Sequence, residues 1–249
     1  MSLANKTILV TGGASGIAKA TVLMLAKQGA RVLCADIDDK GGAATVAQAK
    51  ASGLNVEFIT LDLADATSVT ACAAEALKRG GGRIDVLVNG AGWDRTQPFV
   101  EATDAFIEKV IAINLLGPIR LTRALFPAMI EAGGAKIVSV SSDAGRVGSS
   151  GETPYAAAKG GIIAFTKSLA REGARYKITA NCVCPGPTDT PLFHANPDRM
   201  KEALIRAIPL KRLASPDDIA GAIAYFAGPS SDYVTGQILS VSGGLTMAG

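Results

Sequence analysis

The sequence alternates short apolar runs with longer segments of helical periodicity, and this alternation restricts the possible folds more than any other feature. Seven runs are predicted as strands, at Thr7–Val10, Arg31–Asp36, Asn55–Leu61, Val86–Asn89, Lys136–Ser141, Thr179–Val183 and Ile238–Val241. Continuous apolar runs of this kind are typical of parallel strands that are covered on both faces. We therefore expect an α/β fold: a Rossmann-type, doubly wound, parallel seven-stranded sheet with helices on both faces.

Helical segments separate the predicted strands, at Ile17–Lys27, Gly41–Ala51, Ser68–Arg79, Thr103–Glu131, Tyr155–Arg175, Pro197–Ala207 and Asp217–Ala227. Pro118 and Pro127 are expected to bend or break the longest helix, because proline lacks the backbone donor. The chain has 249 residues, 48% of them hydrophobic, which suits one large core. We expect a single domain spanning residues 1–249, with a substrate loop at about 187–210.

Composition excludes several classes of function. The net charge is only +3 and no run of five like charges occurs, so nucleic acid is not an expected partner. No apolar leader and no uninterrupted apolar stretch of membrane length is present, which favours a cytoplasmic protein without a membrane partner. The cysteines lack metal-ligand spacing and His194 is the single histidine, so we expect buried thiols and no metal site.

A glycine loop between the first strand and the first helix predicts a dinucleotide site. Gly12 and Gly16 let the backbone approach a pyrophosphate, and the helix start at Ser15 to Ile17 directs N–H groups towards it. Asp36 ends the second strand, where its carboxylate accepts hydrogen bonds from the adenosine ribose and repels a 2′-phosphate. Since neither Ser15 nor Ile37 is basic, NAD is favoured over NADP.

Ser142, Tyr155 and Lys159 form a proton-transfer group by their spacing. Lys159 lies one helical turn after Tyr155, on the same helix face, and its positive charge favours the phenolate. Ser142, at the end of the fifth strand, is placed to hydrogen-bond a substrate oxygen. A proton carrier beside a hydride carrier is the chemistry of an alcohol dehydrogenase. A non-catalytic dinucleotide sensor on the same fold is the alternative from another class.

With these motifs the sequence resembles the short-chain dehydrogenase/reductase family over essentially its whole length. The family's first glycine motif corresponds to Thr11, Gly12, Gly16 and Ala18, with alanine in place of the last glycine, and its N-N-A-G motif appears at 89–92 with glycine in place of the second asparagine. The resemblance implies that Asn114 acts with Ser142, Tyr155 and Lys159 in catalysis, by positioning a water between Lys159 and solvent. It also implies a homotetramer.

The cofactor residues expected from the motifs and the resemblance lie mainly at the ends of predicted strands. They are Gly12, Ser15, Gly16, Ile17, Asp36, Ile37, Asp62, Leu63, Asn89, Ala91, Gly92, Tyr155, Lys159, Pro185, Gly186, Thr188 and Thr190. Thr188 and Thr190 are expected to hold the nicotinamide carboxamide.

Trp93 follows the 89–92 motif and is expected to form an aromatic wall of the substrate pocket, completed by Val147, Pro154 and Phe193. Several segments, including 91–94 and 142–152, resemble dehydrogenases of alicyclic and aromatic degradation, which act on cyclohexanol, 1-arylethanols or 2-hydroxycyclohexanecarboxyl-CoA. Four basic residues could bind an acidic substrate tail: Arg146, Arg199, Lys201 and Arg206. The last three have helical spacing in a polar segment, which more often indicates a solvent-exposed helix face.

These features lead to an expected activity, the NAD-dependent interconversion of a ring-bearing, alicyclic or aromatic, secondary alcohol and its ketone. The alternatives within the enzyme class are a hydroxyacyl-CoA dehydrogenase acting on a cyclic CoA thioester and a 3-oxoacyl carrier-protein reductase.

Overall fold

A computed structural model describes residues 2–196 and 198–247 of the chain. Its strands are β1 (Thr7–Thr11), β2 (Arg31–Asp36), β3 (Val56–Thr60), β4 (Val86–Asn89), β5 (Ala135–Val140), β6 (Ile178–Pro185) and β7 (Ile238–Val241). All neighbours pair in parallel, in the order β3-β2-β1-β4-β5-β6-β7. The order reverses between β1 and β4, which places a crevice at the carboxyl ends of these strands. The predicted fold class is confirmed.

Helices cover both faces of this sheet. They are α1 (Gly16–Lys27), α2 (Asp39–Ala51), α3 (Ala66–Arg79), α4 (Asp104–Ile111), α5 (Gly117–Glu131), α6 (Ala144–Val147), α7 (Thr153–Gly173), α8 (Pro191–His194), α9 (Asp198–Ala207) and α10 (Pro216–Ala227). Successive strand side chains point to opposite faces. Ile8 and Val10 therefore join the core beneath α1 and α10, while Leu9 joins the core beneath α3, α5 and α7.

Of the bend or break expected at Pro118 and Pro127, the structure shows no break in the long helical segment. The helix runs on from Asp104 to Glu131 and widens into a π-helical turn at Ala112–Leu116. This wider turn lies just before Pro118, whose ring would otherwise collide with the carbonyl four residues earlier. Pro127 is tolerated inside α5 because it lies on the exposed side, where water can satisfy the carbonyl that loses its partner.

This same segment is long and apolar enough, by length and composition alone, to cross a membrane. Its apolar side is instead used within the fold. Leu121, Leu125 and Met129 are fully buried in the core that α5 shares with α3. The segment therefore has the packing of a core helix of an α/β domain.

The region predicted as a substrate loop, 187–210, contains two helices, α8 and α9. Thr190 caps α8, since its hydroxyl accepts a hydrogen bond from the Phe193 amide at 3.3 Å. The sequence did not predict α8 or α6, which are each four residues long. The predicted start of α9 at Pro197 lies outside the described residues, and the helix is described from Asp198. All four cysteines are buried free thiols, as expected.

Candidate active site

The carboxyl ends of the strands border one large cavity of about 720 Å³ at the point where the strand order reverses. A volume of this size is in the usual range for small-molecule sites. Every predicted cofactor residue except Asn89 lines this cavity. Ser142, Trp93, Val147 and Phe193 line it too, so the dinucleotide motif and the proton-transfer group face the same space.

Close backbone packing shapes the glycine loop. Gly12 has φ of +82°, and a Cβ atom there would lie 2.7 Å from the Cα atom of Ala91. The Thr11 hydroxyl accepts hydrogen bonds from the amides of Gly90 and Ala91, at 3.1 and 3.2 Å. Only glycine fits this approach between the ends of β1 and β4. The loop thus presents bare backbone to the cavity, as a pyrophosphate group requires.

Asp36 lies at the carboxyl end of β2 and borders the cavity. Its Oδ2 atom accepts a hydrogen bond from the Ala14 amide at 2.9 Å, and its Oδ1 atom accepts one from the Asp38 amide at 3.0 Å. These bonds fix the carboxylate beside the glycine loop, and each oxygen retains a lone pair for a ribose hydroxyl. Ile37 is 64% exposed and offers no positive charge. The residues present therefore fit the adenosine ribose of a dinucleotide.

Lys159 is held beneath Tyr155 by the end of β5. Its Nζ atom donates a hydrogen bond to the Val140 carbonyl at 3.0 Å and lies 5.5 Å from the centroid of the Tyr155 ring. Ser141 donates a hydrogen bond to the Lys159 carbonyl at 2.8 Å, which fastens α7 to the strand end. Burial lowers the pKa of Lys159 to about 8, and the nearby thiols of Cys182 and Cys184 oppose that shift.

Tyr155 and Ser142 meet at the cavity wall. Tyr155 is 9% exposed, and burial raises its pKa well above the usual range, with the carboxylates of Glu152 and Asp94 adding to the rise. The hydroxyl of Ser142 opposes this increase in the pKa of Tyr155. Ser142 itself is oriented by the Ala144 amide, which donates a hydrogen bond to its Oγ atom at 3.1 Å. The pair is thus placed to contact one substrate oxygen.

Asn114, predicted as a catalytic residue, lies behind the cavity instead of lining it. It occupies the π-helical turn and is fully buried. Its Nδ2 atom donates hydrogen bonds to the carbonyls of Trp93 and Val110, at 2.7 and 2.9 Å, and its Oδ1 atom accepts one from the Trp93 amide at 3.1 Å. The side chain therefore holds the 90–93 loop against the helix in this structure.

Two other predicted residues lie outside the cavity. Asn89, expected at the cofactor, is buried and donates a hydrogen bond to the Thr122 hydroxyl at 3.2 Å, which joins β4 to α5. Pro154, expected in the substrate pocket, is buried in the first turn of α7. Their roles at the cofactor and the substrate stay predictions, since a position next to a site residue in sequence does not determine which way the side chain turns.

Trp93 and Phe193 form apolar walls on the cavity, with Met200 and Leu204 of α9 nearby. The Trp93 ring packs against Phe106, with a centroid distance of 5.8 Å, and the Nζ atom of Lys109 lies 4.1 Å above it. This arrangement fixes the indole as a rigid surface.

Three of the four basic residues considered for an acidic substrate tail have acidic partners within the protein, and Arg199 has none among the described residues. The ion pairs are Arg146–Asp143 at 3.2 Å, Lys201–Asp198 at 2.7 Å and Arg206–Glu202 at 3.5 Å. This pairing supports the interpretation of Lys201 and Arg206 as part of a solvated face. His194 likewise pairs with Asp189, at 2.6 Å, and no metal-ligand cluster occurs among residues 2–196 and 198–247.

Asp94, which sequence reasoning did not single out, is the least satisfied polar group of the site. Both of its carboxylate oxygens are buried without a hydrogen-bond partner among the described residues. Burial raises the pKa of Asp94 to about 6, and the charge of Glu152 adds to that rise. The Arg95 amide opposes the rise without completing a well-formed hydrogen bond. An acid in a loop is usually solvated, so no local pattern indicated this burial.

Comparisons with known proteins agree with this geometry. A family model described as enoyl-(acyl carrier protein) reductase matches residues 12–246. The chain is 37% identical over 247 residues to 3-oxoacyl-[acyl-carrier-protein] reductase FabG of Thermotoga maritima, covering 99% of this chain and all of that protein. It is equally identical, over 99% of both chains, to the (2S)-[(R)-hydroxy(phenyl)methyl]succinyl-CoA dehydrogenase subunit BbsD of Thauera aromatica.

Among solved structures, a putative gluconate dehydrogenase from Agrobacterium tumefaciens superimposes with a TM-score of 0.94, at 32% identity, covering 99% of this chain and 98% of that one. Fold and cavity together define a nicotinamide-dependent oxidoreductase. The chain belongs to the short-chain dehydrogenase/reductase family, as the sequence resemblance predicted.

The burial of Asp94 generates a stability prediction. A pKa raised from 3.8 to about 6 means that the folded state prefers the neutral acid, so ionisation above about pH 6 costs stability. Asp94→Asn should therefore raise the free energy of unfolding at pH 8, by less than the roughly 3 kcal/mol that about 1.4 kcal/mol per pKa unit would give, because solvent screens the charge of a half-buried residue. The gain should shrink as the pH falls from 6 towards 4, where the wild-type acid becomes neutral in both states.

Urea unfolding of the wild type and the variant at pH 8 and pH 5 measures this gain. Glu172→Gln removes an exposed acid of α7 and serves as the control, with an expected change within about 0.5 kcal/mol. A less stable Asp94→Asn protein at pH 8 would contradict the assignment of Asp94 as a destabilising buried charge.

Proposed function

We propose that this protein is an NAD(H)-dependent hydroxyacyl-CoA dehydrogenase, which interconverts a ring-bearing 3-hydroxyacyl thioester and its 3-oxo form. One observation carries the proposal: Ser142, Tyr155 and Lys159 face the same cavity as the glycine loop and Asp36. Hydride and proton can then leave one carbinol group together. The oxidation converts the alcohol and NAD⁺ to the ketone, NADH and a proton, which balances atoms and electrons.

The roles proposed for the residues follow from their positions. A nicotinamide held by the glycine loop and Asp36 would supply the hydride acceptor for oxidation and the hydride donor for reduction. Tyr155 takes the hydroxyl proton in oxidation and donates it in reduction, while Ser142 hydrogen-bonds the same oxygen. An isolated tyrosine titrates near pH ~10, so it needs the positive charge of Lys159 below its ring. Asn114 supports the site by holding the loop that carries Trp93.

The choice of NAD over NADP rests on Asp36. Its carboxylate is fixed at the end of β2 by two backbone amides, at the place where a ribose is expected. A 2′-phosphate at this position would meet a negative charge and no basic partner at Ser15 or Ile37. An NADPH-dependent carrier-protein reductase is the competing assignment, and Asp36 is the observation against it.

The preference for a thioester over a free alcohol rests on the relatives. The protein from Thermotoga maritima is named for an acyl carrier-protein thioester and the protein from Thauera aromatica for a CoA thioester. These names favour the hydroxyacyl-CoA alternative over the free secondary alcohol that the sequence alone led us to expect. The aromatic walls at Trp93 and Phe193 support a ring in the acyl group. A free ring-bearing alcohol is the second candidate, because the same walls would bury it.

We also propose a cytoplasmic homotetramer. Members of this family commonly form tetramers. Leu239 on the edge strand β7 and Met247 in the C-terminal tail are exposed apolar side chains on the surface expected to meet a neighbour. A closed symmetric assembly would cover such side chains.

The cofactor assignment predicts a strong preference of the wild type for NAD over NADP. Replacing Asp36 by Ala and Ile37 by Arg should reverse the sign of that preference, because the change removes the repulsive charge and adds a phosphate partner. Steady-state kcat/KM values with each cofactor, at saturating alcohol, measure the effect. Equal efficiency of the wild type with both cofactors would contradict the role of Asp36.

The substrate assignment predicts that 3-hydroxy-3-phenylpropionyl-CoA has a kcat/KM at least about 100-fold above those of 1-phenylethanol and cyclohexanol. Binding energy from the remote part of a substrate can be used to lower the barrier at the reacting carbon. NADH absorbance with this panel, and with 2-propanol as an acyclic control, measures the difference. Equal or better turnover of 1-phenylethanol would establish the second candidate. NADH binding with no turnover of any alcohol would indicate a sensor.

A further inference from the structure

Two acids near Tyr155 are not required by the reaction described above: Glu152 lines the cavity, whereas Asp94 lies outside its lining. Glu152 lines the cavity and directly precedes α7, three residues before Tyr155. Asp94 follows the aromatic wall residue Trp93, and its two carboxylate oxygens are buried without hydrogen-bond partners among the described residues. Both carboxylates act on the phenol, since each raises the pKa of Tyr155.

Helix stability accounts for only one of these acids. A carboxylate at a helix N-terminus is favourable, which suffices to explain Glu152 as a structural residue. It does not explain Asp94, which lies in a loop and is not hydrogen-bonded to any helix N-terminus. Burying a carboxylate without partners costs stability, and such residues are often retained for function. Glu152 thus places negative charge on the cavity wall one helical turn before Tyr155, and Asp94 adds a second negative charge next to the wall residue Trp93.

The basic side chains in and around this cavity already have contacts within the protein. The Lys159 ammonium lies beneath the Tyr155 ring and is bonded to the Val140 carbonyl. Lys109 of α4 lies over the outer aromatic wall, on the Trp93 ring. Arg146 is paired with Asp143 at 3.2 Å. Asp36 and Asp62 lie at the opposite, adenosine side of the cavity. Among the described residues that line the cavity, Glu152 is therefore an acid one helical turn from Tyr155 that has no ion-pair partner.

We propose that Glu152 and Asp94 are specificity-determining residues, which select a substrate whose carboxyl group is masked as a neutral ester or thioester and disfavour the free 3-hydroxy acid. This inference rests on the proposed function and names the charge of its substrate. A free 3-hydroxy acid carries its carboxylate two bonds from the reacting carbon, in the cavity that Glu152 lines. Like charges oppose binding, and more strongly where the local dielectric constant is low.

The same residues give a physical reason for the use of a thioester instead of the free acid. Esterification removes the charge without changing the carbinol group that meets Ser142 and Tyr155. Discrimination then comes from repulsion of the wrong substrate as well as attraction of the right one. The thioester is accepted because it is neutral beside Glu152, whatever further contacts its CoA group makes outside the cavity.

The test compares 3-hydroxy-3-phenylpropionate with its methyl ester, a pair that differs in charge and lacks CoA. In the wild type, the kcat/KM of the ester should exceed that of the acid by at least about 100-fold. With acid and ester compared at the same pH in each enzyme, Glu152→Gln and Asp94→Asn should each reduce this ratio by about 10-fold, chiefly through a lower KM for the acid. Glu172→Gln, on the exposed face of α7, should leave the ratio at the wild-type value.

A pH profile separates this electrostatic role from a structural one. Since each carboxylate raises the pKa of Tyr155, its removal should lower that pKa. The ascending limb of kcat/KM for ester oxidation should therefore move to lower pH in Glu152→Gln and further in the double variant. A loss of packing alone would lower the rate without moving the limb.

The measurements distinguish failure of the proposed CoA thioester activity from failure of the proposed selection against a charged substrate. If the CoA thioester is turned over no better than the methyl ester, the proposed function fails while the selection of a neutral group stands. If the wild type uses acid and ester equally, or if the variants leave their ratio unchanged, the charge selection is overturned. A wild-type preference for the acid that disappears in Lys109→Gln would also overturn it, and would assign the carboxylate to Lys109.

Discussion

The burial of the Lys159 ammonium is the constraint on which the rest of the site depends. A buried charge is costly unless polar groups meet it, and here the Val140 carbonyl at the end of β5 accepts its hydrogen bond. That bond fixes the distance between strand and helix, and Ser141 reinforces it from the other side. Tyr155, one turn earlier on α7, is thereby held above the ammonium and beside Ser142. The end of β5, the helix α7 and the proton carrier Tyr155 are therefore held in one fixed arrangement.

The same strand edge brings this unit to the dinucleotide motif. Parallel strands all end at one edge, so Gly12, Asp36 and Val140 reach the same cavity although they are far apart in the chain. The backbone between β1 and β4 is packed so closely at Gly12 that a side chain would not fit. The fold thus determines the distance between the proton carrier and the cofactor site, while individual side chains determine what reacts there.

Much of this was predictable from sequence because it depends on local patterns. Apolar runs located all seven strands, and the spacing of Tyr155 and Lys159 placed both on one helix face. The sequence did not show that Asn114 and Pro154 lie outside the cavity lining, because the direction of a side chain depends on tertiary packing: Asn114 lies in a π-helical turn and Pro154 is buried in the first turn of α7. The four-residue helix α8 is too short to produce a periodic pattern. The Asp94 carboxylate has no hydrogen-bond partner among the described residues because the tertiary fold brings no donor within reach, and no sequence pattern indicates this.

The central claim is that Tyr155 transfers the proton in a site that binds a nicotinamide cofactor independently of it. Tyr155→Phe keeps the ring and removes the hydroxyl, and Tyr225→Phe on the surface of α10 is the matched control. The decisive measurement is NADH affinity, by fluorescence titration, alongside turnover of the preferred alcohol for both variants. The account predicts that Tyr155→Phe binds NADH within about 3-fold of the wild type and loses at least about 100-fold in kcat, while Tyr225→Phe retains both. A Tyr155→Phe enzyme that retains a large fraction of wild-type kcat would contradict it.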